Sequence, residues 1–203
     1  MIKVIIFDLD GTLYKSKGIA EKFAQAAYYT LSKFKNIPLD DAQKLIEEKR
    51  AQIEKEYSDS VPQTLILNSF GISTESWHKE NIDFFDPRDY LTEDEKLKKS
   101  LNGLKKYYRL AILTNNNRIQ TERTLAALRL NDLFDRVYTY NSFKLLKPNP
   151  EFFQKVVEDL NVEPEACFFV GDRNSVDLEP AKKLGMLTCK VKGPEDIYDL
   201  SIE

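Results

Sequence analysis

The chain is poor in the residues that soft metal centres and disulfide frameworks need. Among its 203 residues there is one histidine, His78, and there are only two cysteines, Cys167 and Cys189. Each cysteine lies inside an apolar, strand-like run, so two reduced core thiols are expected rather than a disulfide. No apolar stretch approaches the roughly 20 residues needed to span a bilayer. The first residues lack the basic start, apolar stretch and small-residue cleavage site of a signal peptide. A net charge of −3 provides no general attraction for nucleic acid or anionic membranes. Internal repeats and low-complexity segments are also missing. These absences predict a cytoplasmic protein whose partner is neither a nucleic acid polymer nor a membrane, and they leave the oligomeric state open. What is present, 42% hydrophobic and 31% charged residues, suits a globular fold with a sizeable core.

Short β-branched and aromatic runs mark strands at Ile2–Phe7, Arg109–Thr114, Arg136–Tyr140, Ala166–Val170 and Met186–Val191. Helices are expected over Arg118–Arg129, from Asn149-Pro150 onward with Asn as N-cap, and over Val176–Leu184 up to Gly185. Strands alternating with helices predict an α/β fold, a doubly wound parallel sheet with right-handed crossovers. Residues from Tyr14 to about Pro87 break this alternation and are too long for an ordinary connection. Apolar positions there recur at helical spacing: Ile19, Phe23, Ala26, Ala27 and Thr30, then Leu39, Ala42, Leu45, Ile46 and Ile53. Shorter helical pieces are expected at Gln63–Phe70 and Thr74–Phe85, whereas Glu93–Lys99 reads as a solvated helix face. The predicted organisation is an α/β core of residues 1–14 and 90–203 with a small all-helical insert at 15–89. The crossings near Tyr14–Lys17 and Asp86–Tyr90 would serve as hinges for a lid over the site.

Chemistry-bearing residues gather at the predicted strand ends, where open α/β sheets bind ligands. Asp8-Leu9-Asp10-Gly11-Thr12 follows the first strand, and Gly11 allows a sharp turn that gives the two carboxylates different roles. Thr114-Asn115 follows the second strand and offers a hydroxyl, an amide and free backbone N–H groups to an anion. Lys147-Pro148-Asn149-Pro150 follows the third, with the prolines aiming the lysine through its backbone. Gly171-Asp172 and, five residues on, Asp177 follow the fourth. Taken singly, these are ordinary turns, helix caps and a surface lysine. Taken together, Asp8, Asp10, Asp172 and Asp177 would converge on one rim. Two like charges about 4 Å apart repel by about 4 kcal/mol at an effective dielectric of 20. A divalent cation removes the conflict. All-oxygen ligands without a nearby His or Cys favour Mg2+ over zinc, and a lysine with Thr and Asn donors suits a phosphate beside it. Such a site is built for phosphoryl transfer.

In order and type, these four motifs resemble the haloacid dehalogenase (HAD) superfamily in its phosphatase branch, and the insert resembles that superfamily's first type of helical cap. The resemblance implies a Rossmann-like core with the first strand central. It implies that Asp8 is the nucleophile, forming an aspartyl-phosphate, and that Asp10 first protonates the leaving alcohol and then activates water. Asp8, the Asp10 carbonyl and Asp172 would hold Mg2+, with Asp177 in support. Thr114 and Lys147 would bind the phosphoryl oxygens, helped by Asn115 and the Gly11-Thr12 backbone. Asp10 also sets the chain apart from true dehalogenases, which lack that aspartate because a halide leaves without a proton. Leu13-Tyr14 and Asp86-Pro87-Arg88-Asp89-Tyr90-Leu91 resemble the pyrimidine 5′-nucleotidase-like branch, although that branch often has Asn where Gly11 stands. The expected function is thus Mg2+-dependent hydrolysis of a small soluble phosphomonoester, such as a nucleoside monophosphate or a sugar phosphate. A phosphomutase and a non-catalytic phosphate-binding member stay open as alternatives.

Several insert residues tempt a functional reading. Trp77-His78 could stack on a base, but a helix-packing Trp beside a surface His is the expectation. Tyr28-Tyr29 and Phe84-Phe85 are expected in the insert's core. Arg50, Lys15 and Lys17 could reach a remote substrate charge, yet each alone reads as a solvated side chain. Arg173 is expected to point outward or to pair with an acid.

Overall fold

The computed structural model describes residues 1–202, which divide into two compact units. One comprises Met1–Lys15 and the chain from Leu91 onward; the other is Ser16–Tyr90. Each crossing therefore falls one residue later than the bounds expected for an insert at 15–89.

The first unit carries five parallel strands: β1 (Val4–Phe7), β2 (Arg109–Leu113), β3 (Arg136–Tyr138), β4 (Cys167–Gly171) and β5 (Leu187–Lys190). Their order is β3-β2-β1-β4-β5, so β1 is central and its four residues are fully buried. That burial explains why β1 reads as an unbroken Val-Ile-Ile-Phe run and not as an alternating one. Phe7 pairs with Ile112 on one side and Val170 on the other. Because all strands run the same way, Asp8, Thr114 and Asp172 emerge from the same edge of the sheet.

Helix α8 (Pro150–Leu160) begins as its sequence dictates, with the Asn149 side chain accepting from Glu151 N–H and Pro150 in the first turn. Its Phe152, Phe153, Val156, Val157 and Leu160 bury one stripe against Val4, Ile6, Ala111, Leu113 and Phe169. Helix α5 (Glu95–Lys105) exposes Glu95, Lys96 and Lys99, as a solvated face requires, and turns Leu97, Leu101 and Leu104 inward as an i, i+4, i+7 stripe against the β2 side. The third strand is shorter than expected. Thr139 makes a capping box, accepting from Asn141 N–H while its own N–H donates to Ser142, and starts the four-residue helix α7 (Tyr140–Phe143). Helix α6 spans Arg118–Ala127. After β4, one π-helical turn at Asn174–Leu178 precedes α9 (Glu179–Leu184), which ends at Gly185 with φ +108°.

The second unit consists of α1 (Lys17–Lys35), α2 (Leu39–Tyr57), α3 (Gln63–Asn68) and α4 (Thr74–Phe84). Its core holds Ala26, Ala27, Leu31, Ala42, Ile46, Ile66, Leu67 and Trp77. Trp77 packs there as expected, with its ring 6.4 Å from Phe23. His78 is buried and not at the surface, because Thr74, Trp77, His78 and Asn81 share one i, i+3, i+4, i+7 stripe of α4. Tyr28 packs partly against this core and Phe85 is buried. Tyr29 and Phe84, by contrast, are 52% and 37% exposed and meet ring to ring outside it. Leu39 and Leu45 are exposed as well, so only Ala42 and Ile46 of that stripe are buried on α2. Arg50 pairs with Glu47 and Glu54 on its own helix, Lys17 pairs with Glu21, and Lys15 is exposed. Among the described residues, no helix is long and apolar enough to cross a membrane, and both cysteines are free thiols.

Candidate active site

Strand register assembles the site. Asp8 follows Phe7 directly, while Thr114 and Asp172 each lie two residues past Phe7's partners Ile112 and Val170. Asp8 and Thr114 are each 1% exposed, and Lys147 and Asp177 are wholly buried. Lys147 Nζ donates to Asp8 Oδ1 at 2.6 Å and lies 2.7 Å from Asp177 Oδ1. Burial alone would lower the Lys147 pKa, but Asp177 and Asp8 more than reverse this and leave it raised. Burial likewise disfavours the Asp177 carboxylate, yet Lys147 and Arg173 hold its pKa below the usual value.

Asn115 fixes this lysine. Its Nδ2 donates to the Lys147 carbonyl at 2.9 Å and its Oδ1 accepts from Lys147 N–H at 2.7 Å. Both ends of the amide are therefore engaged by the Lys147 backbone, so Asn115 clamps that residue in place. Thr114 Oγ1 accepts from Asn116 N–H at 3.2 Å. Thr12 is buried with a hydroxyl that has no hydrogen-bond partner.

Carboxylate oxygens of Asp8, Asp172 and Asp177 lie within 4.8 Å of one another. Asp172 Oδ1 is buried without a hydrogen-bond partner, its nearest cation being Arg173 Nε at 3.5 Å. Burial first, then the Asp8 charge, pushes the Asp172 pKa up to about 7. Gly11 has φ +86°, and a Cβ there would sit 2.4 Å from Asp172 Oδ2, so only glycine permits this approach. An unsatisfied buried carboxylate oxygen among all-oxygen donors, held open by a glycine, fits a hard divalent cation. Asp10, partly buried, has its pKa raised by burial and by neighbouring Asp8.

Three participants lie outside the residues that the motifs single out for the site. Arg173 does not point outward: its side chain is 14% exposed, and its guanidinium lies 3.4 Å from Asp8 Oδ2 and 3.5 Å from Asp177 Oδ2. The expected pairing with an acid does hold, and it is the excess of buried carboxylates that draws the guanidinium inward. Tyr14 and Asn116 both donate to Asp10. Tyr14 had a signal in its position just past the Gly11 turn, and Asn116 in its place at the end of β2, but neither says which acid it meets. Replacing Arg173 with alanine should destabilise the metal-free protein by about 1.5–3 kcal/mol, the range for losing a charge-assisted contact. Urea unfolding in EDTA measures this, and Mg2+ should shrink the loss.

The family model described as "Haloacid dehalogenase-like hydrolase" matches residues 5–191. A glyceraldehyde 3-phosphate phosphatase of Methanocaldococcus jannaschii is 31% identical over 201 residues, covering 94% of this chain and 85% of that protein. Pyrophosphatase PpaX of Bacillus cereus is 28% identical over 193 residues, with 94% and 83% covered. The crystal structure of a HAD phosphatase from Thermococcus onnurineus superimposes with a TM-score of 0.58 at 25% identity, covering 94% of this chain and 86% of that one. With the match running through all four strand-end motifs, the chain belongs to the haloacid dehalogenase-like hydrolase family.

Proposed function

We propose that the protein is a Mg2+-dependent phosphatase that hydrolyses a small soluble phosphomonoester through an aspartyl-phosphate on Asp8. The observation that carries this reading is the Lys147 ammonium between Asp8 and Asp177, beside an Asp172 oxygen that nothing satisfies. Asp8, the Asp10 carbonyl and Asp172 would hold the cation, with Asp177 in support. When bound, the cation would offset the negative charge of the carboxylates and of the phosphoryl oxygens.

An Asp8 oxygen attacks phosphorus while the ester oxygen leaves as an alcohol, taking a proton from Asp10. Asp10, now ionised, takes a proton from water as that water attacks the same phosphorus. Asp8 is thereby released, and inorganic phosphate leaves with Asp10 again protonated. Lys147 is placed to stabilise charge on the phosphoryl oxygens, and its clamp through Asn115 means that little reorganisation is needed. Thr114 and Thr12 supply buried hydroxyls, whereas the Gly11 and Thr12 N–H groups, expected to help orient the phosphoryl group, donate instead to the Tyr14 and Leu9 carbonyls within their own turn. The helical unit Ser16–Tyr90 is assigned the role of a lid that excludes water and selects the alcohol. The two free thiols accord with a reducing, cytoplasmic compartment.

The relatives' names put three-carbon sugar phosphates first among candidate substrates, with other sugar phosphates and nucleoside monophosphates next. The test is release of inorganic phosphate from a panel of such esters. Activity should appear with Mg2+, fall to background in EDTA and return when Mg2+ is restored in excess. Activity that persists in EDTA would overturn the metal assignment. An isomeric sugar phosphate in place of inorganic phosphate would identify a mutase.

A further inference from the structure

We propose that Tyr14 and Asn116 are positioning residues that orient the Asp10 carboxyl group toward the leaving oxygen; this rests on the reading of Asp10 as the acid–base. The two oxygens of Asp10 are engaged from different segments. Tyr14 Oη donates to Oδ1, and Asn116 Nδ2 donates to Oδ2 at 2.8 Å. Neither donor is an incidental surface contact. Tyr14 is 6% exposed, and the Gly11 turn brings it back, with Gly11 N–H donating to the Tyr14 carbonyl at 2.9 Å and a bridge joining Asp10 to Tyr14. Asn116 is anchored through its backbone: its N–H donates to Thr114 Oγ1, and its carbonyl accepts from Tyr140 N–H at 3.2 Å.

A carboxyl group on a short side chain still rotates about its last bond, and that rotation sweeps its oxygens by more than a proton transfer tolerates. Two donors fixed to separate segments remove the freedom. Each carboxylate oxygen has two lone-pair directions, so one donor apiece leaves a site for the transferable proton. Misplacing a reacting group by about 1 Å can cost about 10²-fold in rate, and general acid catalysis contributes about 10²–10⁴-fold. Loss of one donor should therefore be felt where the leaving group needs its proton and scarcely felt where it does not.

The experiment compares kcat/KM for benzyl phosphate, whose alkoxide must be protonated, with that for p-nitrophenyl phosphate, whose phenolate leaves without help. Wild type, Tyr14→Phe, Asn116→Ala and Asp10→Ala are measured with Mg2+ in excess. Tyr14→Phe keeps the ring and its packing, and Asn116→Ala is an independent route should the first variant fold poorly. Each should lower kcat/KM for benzyl phosphate by about 10–100-fold and change it for p-nitrophenyl phosphate by less than about 3-fold, a split that general damage to the fold does not produce. Equal losses on both esters, or none on either, overturn the positioning role. Failure of the underlying reading shows separately: Asp10→Ala would then fail to discriminate between the two esters.

Discussion

Asp8→Asn should lower kcat for p-nitrophenyl phosphate by on the order of 10⁴- to 10⁶-fold, the scale seen when a covalent nucleophile or its activating partner is removed. The fold should survive. The asparagine oxygen can still accept from Lys147 Nζ, and that ammonium keeps its pairing with Asp177 at 2.7 Å. Removing one charge from the Asp8, Asp172 and Asp177 cluster also relieves repulsion, so the unfolding midpoint in EDTA should stay level or rise. Loss of activity without loss of stability separates a chemical role from a structural one. Substantial turnover by the purified variant would remove Asp8 from the mechanism.

Lys147→Met should show the opposite pattern on stability. The side chain is wholly buried, and methionine nearly matches its volume, so the change removes charge and leaves little cavity. Asp8 and Asp177 would lose their shared cation, and uncompensated buried charge costs about 3–5 kcal/mol. For a domain whose total stability is typically about 5–15 kcal/mol, that is a large fraction. Urea unfolding in EDTA should show it, and Mg2+ should recover part of the loss by neutralising the same carboxylates. Phosphatase activity should fall to background even where Mg2+ restores the fold. A variant as stable as wild type in EDTA would mean that the ion pairs at 2.6 and 2.7 Å do not carry the stability assigned to them.

The α/β core was legible because its signals are local. Unbroken apolar strands, an Asn-Pro helix start and a Gly helix stop each act within a few residues, and strand ends place their followers on one rim. The motif residues Asp8, Lys147, Asp172 and Asp177 come together for that reason. What was hidden depends on side-chain direction across segments. Asp172 and Asp177 are Arg173's own sequence neighbours, but nothing local says that Asp8, from another strand end, joins them and draws the guanidinium inward. That the Asn115 amide meets the Lys147 backbone at both ends was equally hidden. On α2 and α4 the apolar period was visible, but which edge of the stripe faces the helical core was not: Leu45 and Phe84 lie outside while His78 lies inside. Helix periodicity fixes a face only to within its width, and a packing partner decides the margins.

Covalent catalysis through Asp8 is exposed by an Asp10→Asn variant mixed rapidly with p-nitrophenyl phosphate and Mg2+. That ester needs no general acid to leave, whereas the following hydrolysis needs Asp10 as a base. Phosphorylation should therefore outrun release. A burst of p-nitrophenol equal to one per chain should appear, followed by a slow phase, with the acid-quenched protein carrying its phosphoryl group on the peptide that contains Asp8. Release that is linear from the first turnover with an unmodified Asp8 peptide, or a phosphoryl group found on another residue, would contradict it.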